Sequence, residues 1–388
     1  MYTLTVTNVC EALPIGMAAL RSKGVLENTR AGPALVMSAP VTTVTMRPTE
    51  RVLFSAQRDA NPAFHLFESI WMLAGRNDVA PLNLFVRDFG MRFGEPDGTM
   101  HGAYGHRWRQ AFGFDQLNAA VEKLKREPST RQIVLQMWDA TPYHIVEQSG
   151  TDNVGDRADG SNISAGSEDL TGDWKDRPCN THIYLRVRGL SDPQKRAKLE
   201  DMGVRENPAQ RNPDGSDYRL MNAVDDLRVL DMTVCCRSND VVWGAHGANA
   251  VHFSVLQEYL AARLGVQIGT LYQISNNYHG YLKEMDRIEG KGAEGLFDNR
   301  YTVLKSLPMF LHPDFIDQDI IMFMHCFDKG APYPIFANPW FNDVLVPVVQ
   351  SYQSYREKDW NRVVDYTLQI RADDWRVALT EWYQRRLK

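Results

Sequence analysis

The amino-acid sequence predicts an α+β fold in which β-strands pack against long helices. Apolar and β-branched runs at 133–138, 181–190 and 227–238 are typical of strands. Longer, mostly apolar segments at 62–75 and 248–264 are typical of buried helices. Polar stretches separate these elements, so a layered α+β architecture is expected.

The N-terminal part of the chain predicts both kinds of element. A helix is expected around 8–24, and the runs ALVMSAPVTTVTM (34–46) and RVLF (51–54) suggest strands. The helix at 62–75 has a proline near its start and a glycine near its end, which are the favoured positions of these residues.

The middle of the chain contains two polar inserts. A helix at 115–127 is expected to stop at Pro128. Residues 148–173 are rich in Gly, Ser, Asp and Asn and have little to bury, so they predict an exposed loop or a disordered insert. The polar residues 191–224, which contain Pro and Gly, predict a second insert.

The C-terminal region predicts a helical extension. The helix at 248–264 should end at Gly265. We expect a catalytic domain at 1–290, which carries both inserts, and a mostly helical extension at 291–388. Within the extension, apolar residues at helical spacing favour a packing stripe over a cofactor site. These residues are Trp375, Ala378, Leu379 and Trp382.

Composition excludes some classes of partner. The chain has 388 residues, 44% of them hydrophobic, and a net charge of -5, so a large core is available and no basic field is present to hold a nucleic-acid polymer. A local group of arginines could still bind a small phosphate. The N-terminal residues do not have the pattern of a signal peptide, and no apolar stretch is long enough to predict a membrane span.

The cysteines favour a reduced, cytoplasmic protein. There are five, an odd number, without CxxC pairs or zinc-like spacing. No metal site is predicted from them.

Several short segments, each weak alone, occur in one order along the chain. They are TRAGP at 29–33, FHLFESIWMLAG at 64–75, GAYGHRW at 102–108, PSTRQ at 128–132, RPCN at 177–180, RSNDVVWGAHGAN at 237–249 and NYHGY at 277–281. Together they resemble the thymidylate synthase family, which includes the pyrimidine nucleotide hydroxymethylases. The resemblance covers about residues 25–285 and implies a layered fold with a mixed β-sheet packed by long helices.

The candidate nucleophile is Cys179. A lone cysteine is most often a small buried hydrophobe, but this one lies between polar loops, after a proline and before a predicted strand. A thiolate that adds to carbon 6 of a pyrimidine makes carbon 5 nucleophilic. Because the usual thiol pKa is about 8.5, a cation should lie nearby. By resemblance that cation is Arg237, which also binds the nucleotide phosphate.

The resemblance implies a phosphate site shared between two subunits. Arg30, Arg131, Arg237 and the adjacent Ser238 match substrate-binding positions. The position of Arg131 is one that the partner subunit of a homodimer supplies. The family usually has a second arginine next to it, where this chain has Gln132.

The resemblance also assigns recognition of the base and the sugar. Asn249 could pair with a uracil, because a carboxamide can donate to the carbonyl at position 4 and accept from the ring N–H. An aspartate there would suit cytosine better. The stretch from Asp240 to Asn249 is one residue longer than is usual in the family. His279 and Tyr281 match a pair that bonds the sugar hydroxyl.

The remaining predicted roles concern proton transfer and folate. A carboxylate in an apolar helix favours a site role for Glu68, and by resemblance it organises water. By the same resemblance, Tyr104 is expected to serve removal of the carbon 5 proton. Asp240, Trp243 and Gly244 would hold 5,10-methylenetetrahydrofolate.

The sequence favours addition of water over reduction. Methylating enzymes usually have histidine where this chain has Asn180 and glutamine where it has Cys236, and their short C-terminal tail is not recognisable here. We therefore expect hydroxymethylation of a dUMP-type nucleotide. A true thymidylate synthase and a dCMP or CMP hydroxymethylase remain alternatives. Two more distant alternatives are a cysteine hydrolase using His182 or His246, and a non-catalytic nucleotide- or RNA-binding protein.

Overall fold

The computed structural model describes residues 1–140, 168–191, 194, 227–290 and 297–387. Their strands form one mixed sheet. The strands are β1 (Tyr2–Val6), β2 (Gly24–Thr29), β3 (Gly32–Met37), β4 (Val41–Thr45), β5 (Val134–Gln136), β6 (Asn180–Gly189), β7 (Arg228–Asp240) and β8 (Gln267–Tyr281).

Helices cover the sheet and form the C-terminal region. They are α1 (Val9–Lys23), α2 (Pro62–Leu73), α3 (Phe89–Phe93), α4 (Tyr104–Arg109), α5 (Gln116–Arg126), α6 (Glu168–Thr171), α7 (Asn249–Leu264), α8 (Leu282–Glu289), α9 (Ile316–Lys329), α10 (Val346–Arg356), α11 (Trp360–Gln369) and α12 (Asp373–Gln384). Within the part of the chain that the structure describes, no helix is both long and apolar enough to cross a membrane.

The strand order is β1-β4-β8-β7-β6-β5. β1 pairs with β4 and β7 with β8 in parallel, and the other pairs are antiparallel. The end of β8 also pairs with β3, which carries β2 as a hairpin. This mixed sheet with packed helices confirms the predicted α+β fold class.

The apolar core extends from the sheet into the C-terminal helices. The helix α2 is buried at almost every position, and its Phe67 packs on Phe85 and Phe327. The predicted packing stripe on α12 is confirmed, because its residues are between 0% and 5% exposed. Arg51 and Glu258 form a buried ion pair, and Glu258 also accepts from the backbone N–H of Met309.

Most predicted elements are confirmed, with one exception. The run RVLF at 51–54 is buried but is not a strand. Its hydrogen bonds go to side chains rather than to a neighbouring strand, since the Val52 N–H donates to the hydroxyl of Tyr301. The strands β1, β2 and β8 are not predicted by the hydrophobic pattern of the sequence.

The first insert differs from the prediction where it is described. Residues 148–167 lie outside the described residues, but α6 follows, and the Asp169 side chain is fully buried. It accepts from Arg107 at 2.6 and 2.9 Å, so this end of the insert is anchored rather than exposed. The second insert, at 191–224, lies almost wholly outside the described residues.

Candidate active site

The chain segment that precedes β6 holds Cys179 against Arg237. The backbone N–H of Arg237 donates to the carbonyl of Cys179 at 2.8 Å. Its guanidinium donates to the carbonyls of Pro178 at 3.0 Å and Arg177 at 3.2 Å. The predicted cation therefore lies beside the nucleophile, and its hydrogen bonds fix the backbone of Arg177 and Pro178.

Burial controls the protonation of Cys179, which is only partly exposed. Desolvation raises the pKa of its thiol, and the charge of Arg237 lowers it by less. Asp176 raises the pKa further, while a hydrogen bond from Tyr104 lowers it. The charge of Arg237 acts in the predicted direction, but burial outweighs it, so the net shift of the thiol pKa is upward.

Asp176 is a site residue that the sequence analysis missed. Burial raises the pKa of its carboxyl to about 6, in spite of the opposing charges of Arg237, His101 and Arg107. Its Oδ2 lies so close to Gly102 that a Cβ there would overlap it. An aspartate before the RPCN motif has no pattern that marks it as a site residue in the sequence. Its position beside Cys179 follows from the way this loop packs next to α4.

Tyr104 links the nucleophile to α7. Its hydroxyl donates to Oδ1 of Asn249 at 3.5 Å and lowers the pKa of the neighbouring Cys179 thiol. Its ring stacks on Phe253, with centroids 5.9 Å apart. Burial raises the pKa of Tyr104 well above its ordinary value, so the hydroxyl is a donor at neutral pH.

Glu68 is paired with a residue that the sequence analysis missed. Its Oε2 lies 2.9 Å from Nε2 of His252, and both side chains are nearly buried where α2 packs on α7. His252 is one turn beyond Asn249, so the two share a face of α7. This spacing was a usable signal, but the contact with Glu68 joins segments far apart in sequence.

Asp240 ends β7 and caps a helical segment, Val241–Ala248, which is interrupted by non-helical backbone at His246 and Gly247 before α7 begins. Its Oδ1 accepts from the backbone N–H groups of Val242 at 2.9 Å and Trp243 at 2.5 Å. The longer connection noted in the sequence therefore contains a break in the helix at His246 and Gly247.

The other oxygen of Asp240 is a free acceptor. Its Oδ2 is buried and has no hydrogen-bond partner among the described residues. Burial raises the pKa of this carboxyl. Trp243, 47% exposed, lies beside it and is stacked by the guanidinium of Arg58 at 4.1 Å. A buried acceptor next to an exposed aromatic face fits a flat heterocycle that has ring N–H donors. A Cβ on Gly244 would lie 2.7 Å from Oδ1 of Asn239, so only glycine fits at that position without displacing the amide.

The predicted sugar-binding residues lie at the end of β8. His279 is opposite Asp240, and Asn277 is opposite Ser238, in the parallel β7–β8 ladder. Nδ1 of His279 lies 2.8 Å from Oδ1 of Asn277, and the ring of His279 meets that of Tyr281 edge-on. These residues therefore share one rim with Asp240.

Arg30 and Arg131 lie apart from this group. Arg30 is exposed at the tip of the β2–β3 hairpin. Arg131 is exposed before β5, whose first residue Val134 pairs with Tyr184, well along β6 from the nucleophile. The structure therefore does not bring Arg131 to the Cys179 of its own chain.

Asn180 follows the nucleophile and is fully buried. Within the described segments neither atom of its amide has a hydrogen-bond partner. A buried, unpaired amide is costly, so this side chain is a candidate to bind a small polar molecule.

The histidines proposed for a hydrolase do not contact Cys179. His246 is bonded to the hydroxyl of Tyr278 at 2.7 Å, and His182 lies 3.1 Å from Oγ1 of Thr181. A nearby cavity, lined by residues such as His246 and Ala250, includes none of the residues predicted to bind the nucleotide or folate. The geometry therefore disfavours a Cys–His hydrolase.

Comparison with known proteins gives consistent similarities. A family profile described as thymidylate synthase matches residues 20–147. The chain is 34% identical, over its full length and 95% of the relative, to the deoxyuridylate hydroxymethyltransferase of Pseudomonas phage M6. It is 30% identical to the enzyme of the same name from Bacillus phage SP01, over 63% of this chain and 50% of the relative. Thermostable thymidylate synthase A from Bacillus subtilis is 15% identical and covers 80% of this chain and 92% of its own, with a TM-score of 0.49.

Proposed function

The chain belongs to the thymidylate synthase family, and from this premise we propose that it hydroxymethylates deoxyuridylate at carbon 5. The observation that carries the proposal is the meeting of Cys179, Arg237, Tyr104 and Asn249 at one site. Two relatives are named deoxyuridylate hydroxymethyltransferase, which supports deoxyuridylate as the substrate and a hydroxymethyl group in the product.

Cys179 starts the reaction by adding its sulfur to carbon 6 of the pyrimidine. The hydrogen bond from Tyr104 and the charge of Arg237 both favour the thiolate that this attack needs. Electron density then accumulates at carbon 5, and the folate, when bound, supplies the one-carbon unit there. Tyr104 serves loss of the carbon 5 proton, and the electrons of that C–H bond would expel tetrahydrofolate and leave a methylene group double-bonded to carbon 5.

Asp240, Trp243 and Gly244 form the folate-binding rim. With folate bound, the free Oδ2 of Asp240 would accept from a ring N–H, and the exposed Trp243 would pack against the flat ring. A folate in this position would give a hydrogen-bond donor to Oδ2 of Asp240, which is buried and has no partner among the described residues.

Addition of water completes the proposed reaction. Water attacks the methylene carbon attached to carbon 5 and gives a proton to Glu68, and the electrons return through the ring to expel Cys179 as thiolate. The buried amide of Asn180 is unpaired and adjacent to the nucleophile, which supports a role in binding this water. The close contact between Glu68 and His252 supports a role for Glu68 in accepting the proton of this water.

The active enzyme is proposed to be a homodimer. On β5–β8 one face of the sheet forms the core, while the opposite face carries exposed Val134 and Tyr184 and the partly exposed Tyr272 and Ile274. A two-fold related copy would cover this face and could supply Arg131 to the neighbouring site. Arg30, Arg237 and that arginine would then hold the phosphate.

Product analysis tests the function. We expect dUMP with 5,10-methylenetetrahydrofolate to give 5-hydroxymethyl-dUMP and release of the carbon 5 proton, measured with tritium-labelled substrate. The Cys179→Ala variant should lower tritium release by at least about 10⁴-fold, because the covalent adduct is lost. Formation of thymidylate with dihydrofolate instead would identify the reductive reaction.

The neighbouring thiol provides a matched control. Cys236 is fully buried next to Cys179, and burial raises its pKa well above the ordinary value. The Cys236→Ala variant should retain activity within about tenfold, since this thiol has no role in the attack. Equal loss in both variants would argue against Cys179 as the nucleophile. Turnover of dCMP or CMP in preference to dUMP would revise the substrate.

A further inference from the structure

Buried amides connect the base-reading residue Asn249 to the backbone. Nδ2 of Asn249 donates to Oδ1 of Asn239 at 3.1 Å, and Nδ2 of Asn239 donates to Oε1 of Gln273 at 3.2 Å. Nε2 of Gln273 donates in turn to the carbonyl of Ala245 at 3.3 Å. We call Gln273, Asn239 and Asn249 the amide relay.

The relay has only one self-consistent direction. A backbone carbonyl can accept but cannot donate, so the nitrogen end of Gln273 must face Ala245. This turns the oxygen of Gln273 towards Asn239, and then the oxygen of Asn239 towards the nitrogen of Asn249. Reversing any one amide would set two oxygens or two nitrogens against each other.

Burial makes this direction hard to change. Asn239 is 1% exposed, Gln273 4% and Asn249 6%, so water has little access to replace a lost bond. An unpaired buried amide group costs about 1–3 kcal/mol. A carboxamide would otherwise have two nearly isosteric orientations, and the relay selects one of them.

The orientation of Asn249 decides which pyrimidine can pair with it. Uracil offers a carbonyl acceptor at position 4 and an N–H donor at position 3, which match an amide nitrogen and an amide oxygen. Cytosine offers an amino donor at position 4 and a ring-nitrogen acceptor at position 3, so it matches the same amide rotated by half a turn. An asparagine therefore does not by itself specify the base.

We propose that Gln273 and Asn239 are specificity-determining residues that orient Asn249 for uracil and against cytosine. They act through Asn249 without touching the nucleotide, so they are positioning residues. This inference rests on the proposed function and names the residues that restrict its substrate to the uracil nucleotide.

The test compares dUMP with dCMP, both by calorimetric binding without folate and by kcat/KM with folate. The unaltered protein should bind dUMP at least about tenfold more tightly than dCMP. Gln273→Leu removes the amide that the Ala245 carbonyl orients. The preference for dUMP over dCMP, in binding affinity and in kcat/KM, should then fall by about tenfold or more. Ser275→Ala is the matched control, because Ser275 also accepts from Asn239, at 3.1 Å, but a hydroxyl can donate or accept and fixes no direction.

A second pair of variants tests the inference independently of Gln273. Asn239→Asp places an acceptor-only carboxylate opposite Asn249, so the dUMP preference should remain even if overall activity falls. Asn239→Leu should lose the preference as Gln273→Leu does. A structural defect would weaken both nucleotides alike and leave their ratio unchanged.

The possible outcomes separate the inference from the proposed function. Unchanged ratios in Gln273→Leu and Asn239→Leu would overturn the inference, as would tighter binding of dCMP than of dUMP by the unaltered protein. Absence of 5-hydroxymethyl-dUMP from the unaltered enzyme would overturn the proposed function, while the binding ratios would still test the relay.

Discussion

At the scale of single residues, the pKa of the Cys179 thiol is set by neighbours with opposing effects. Burial and Asp176 raise the pKa of its thiol, whereas Arg237 and Tyr104 lower it. A nucleophile that is mostly protonated at rest reacts slowly with unwanted electrophiles, because the thiolate is the reactive form.

Replacing Asp176 should make Cys179 more reactive. Asp176→Asn removes a negative charge that raises the thiol pKa, so that pKa should fall and more thiolate should be present at pH 7. We expect iodoacetamide to alkylate Cys179 several-fold faster, with the pH–rate profile displaced to lower pH. Peptide mass spectrometry would identify the labelled cysteine.

A second aspartate provides the control for this experiment. Burial also raises the pKa of Asp374 to about 6, but Asp374 is bonded to Tyr301 rather than placed beside Cys179. Asp374→Asn should leave the alkylation profile of Cys179 where it is. An equal displacement in both variants would argue against a direct effect of the Asp176 charge.

Sequence patterns predicted the residues whose role depends on residue type within a motif. The order of short segments was enough to select Cys179, Arg237 and Tyr104, which do lie together. It could not select Asp176 or His252, because their contacts arise from loops and helices packing across the fold.

At the scale of elements, β8 explains what hydrophobic patterning could not predict. The strand was missed because its buried face carries Gln273 and Ser275, which bond Asn239, where an apolar side chain would give the usual alternation. For the run RVLF at 51–54 the same patterning predicted a strand that does not form. It is apolar and buried like a strand, but its backbone bonds a tyrosine hydroxyl.

Close packing of α4 on α2 should be essential to the site. Gly105 of α4 touches the backbone of α2 so closely that a Cβ would overlap the carbonyl of Met72. Gly105→Ala should therefore lower the free energy of unfolding by about 3 kcal/mol or more and shift Tyr104, with loss of activity. Urea denaturation and tritium release would measure the two effects.

The control for this substitution is Gly189→Ala at the end of β6. A Cβ there would meet no atom within 4 Å, so stability should change by less than about 0.5 kcal/mol. If Gly105→Ala were as well tolerated, the helices would have to separate without cost, contrary to the packing described above.

At the scale of the whole molecule, the C-terminal helices support the catalytic ones. Tyr352 of α10 donates to the carbonyl of Phe85, which stacks on Phe67 of α2. Arg385 and Arg386 pair with Asp59 just before that helix. The boundary between a catalytic domain at 1–290 and an extension stays a prediction, since apolar contacts continue across it.

The proposed dimer predicts complementation between inactive subunits. Cys179→Ala and Arg131→Ala should each abolish most activity. When the two are co-expressed, one site of every mixed dimer would combine an intact Cys179 with an intact Arg131. About a quarter of all sites should then be active for random two-fold pairing.

A different pair of variants provides the control for complementation. Cys179 and Arg237 belong to one site in one chain, so mixing Cys179→Ala with Arg237→Ala should restore nothing. Recovery in this mixture, or its absence in the first, would contradict a site completed by Arg131 of a second copy.

The dual use of Arg237 has a consequence for inhibitors. One side chain braces the carbonyls of Arg177 and Pro178 beside the nucleophile, and it is also the proposed anchor for the phosphate. An uncharged pyrimidine nucleoside analogue has no phosphate for Arg237 to bind. It would also react slowly with Cys179, because the thiol is protonated in the free enzyme. Compounds aimed at Cys179 would consequently act as prodrugs, which require a kinase to phosphorylate them before they could trap the enzyme.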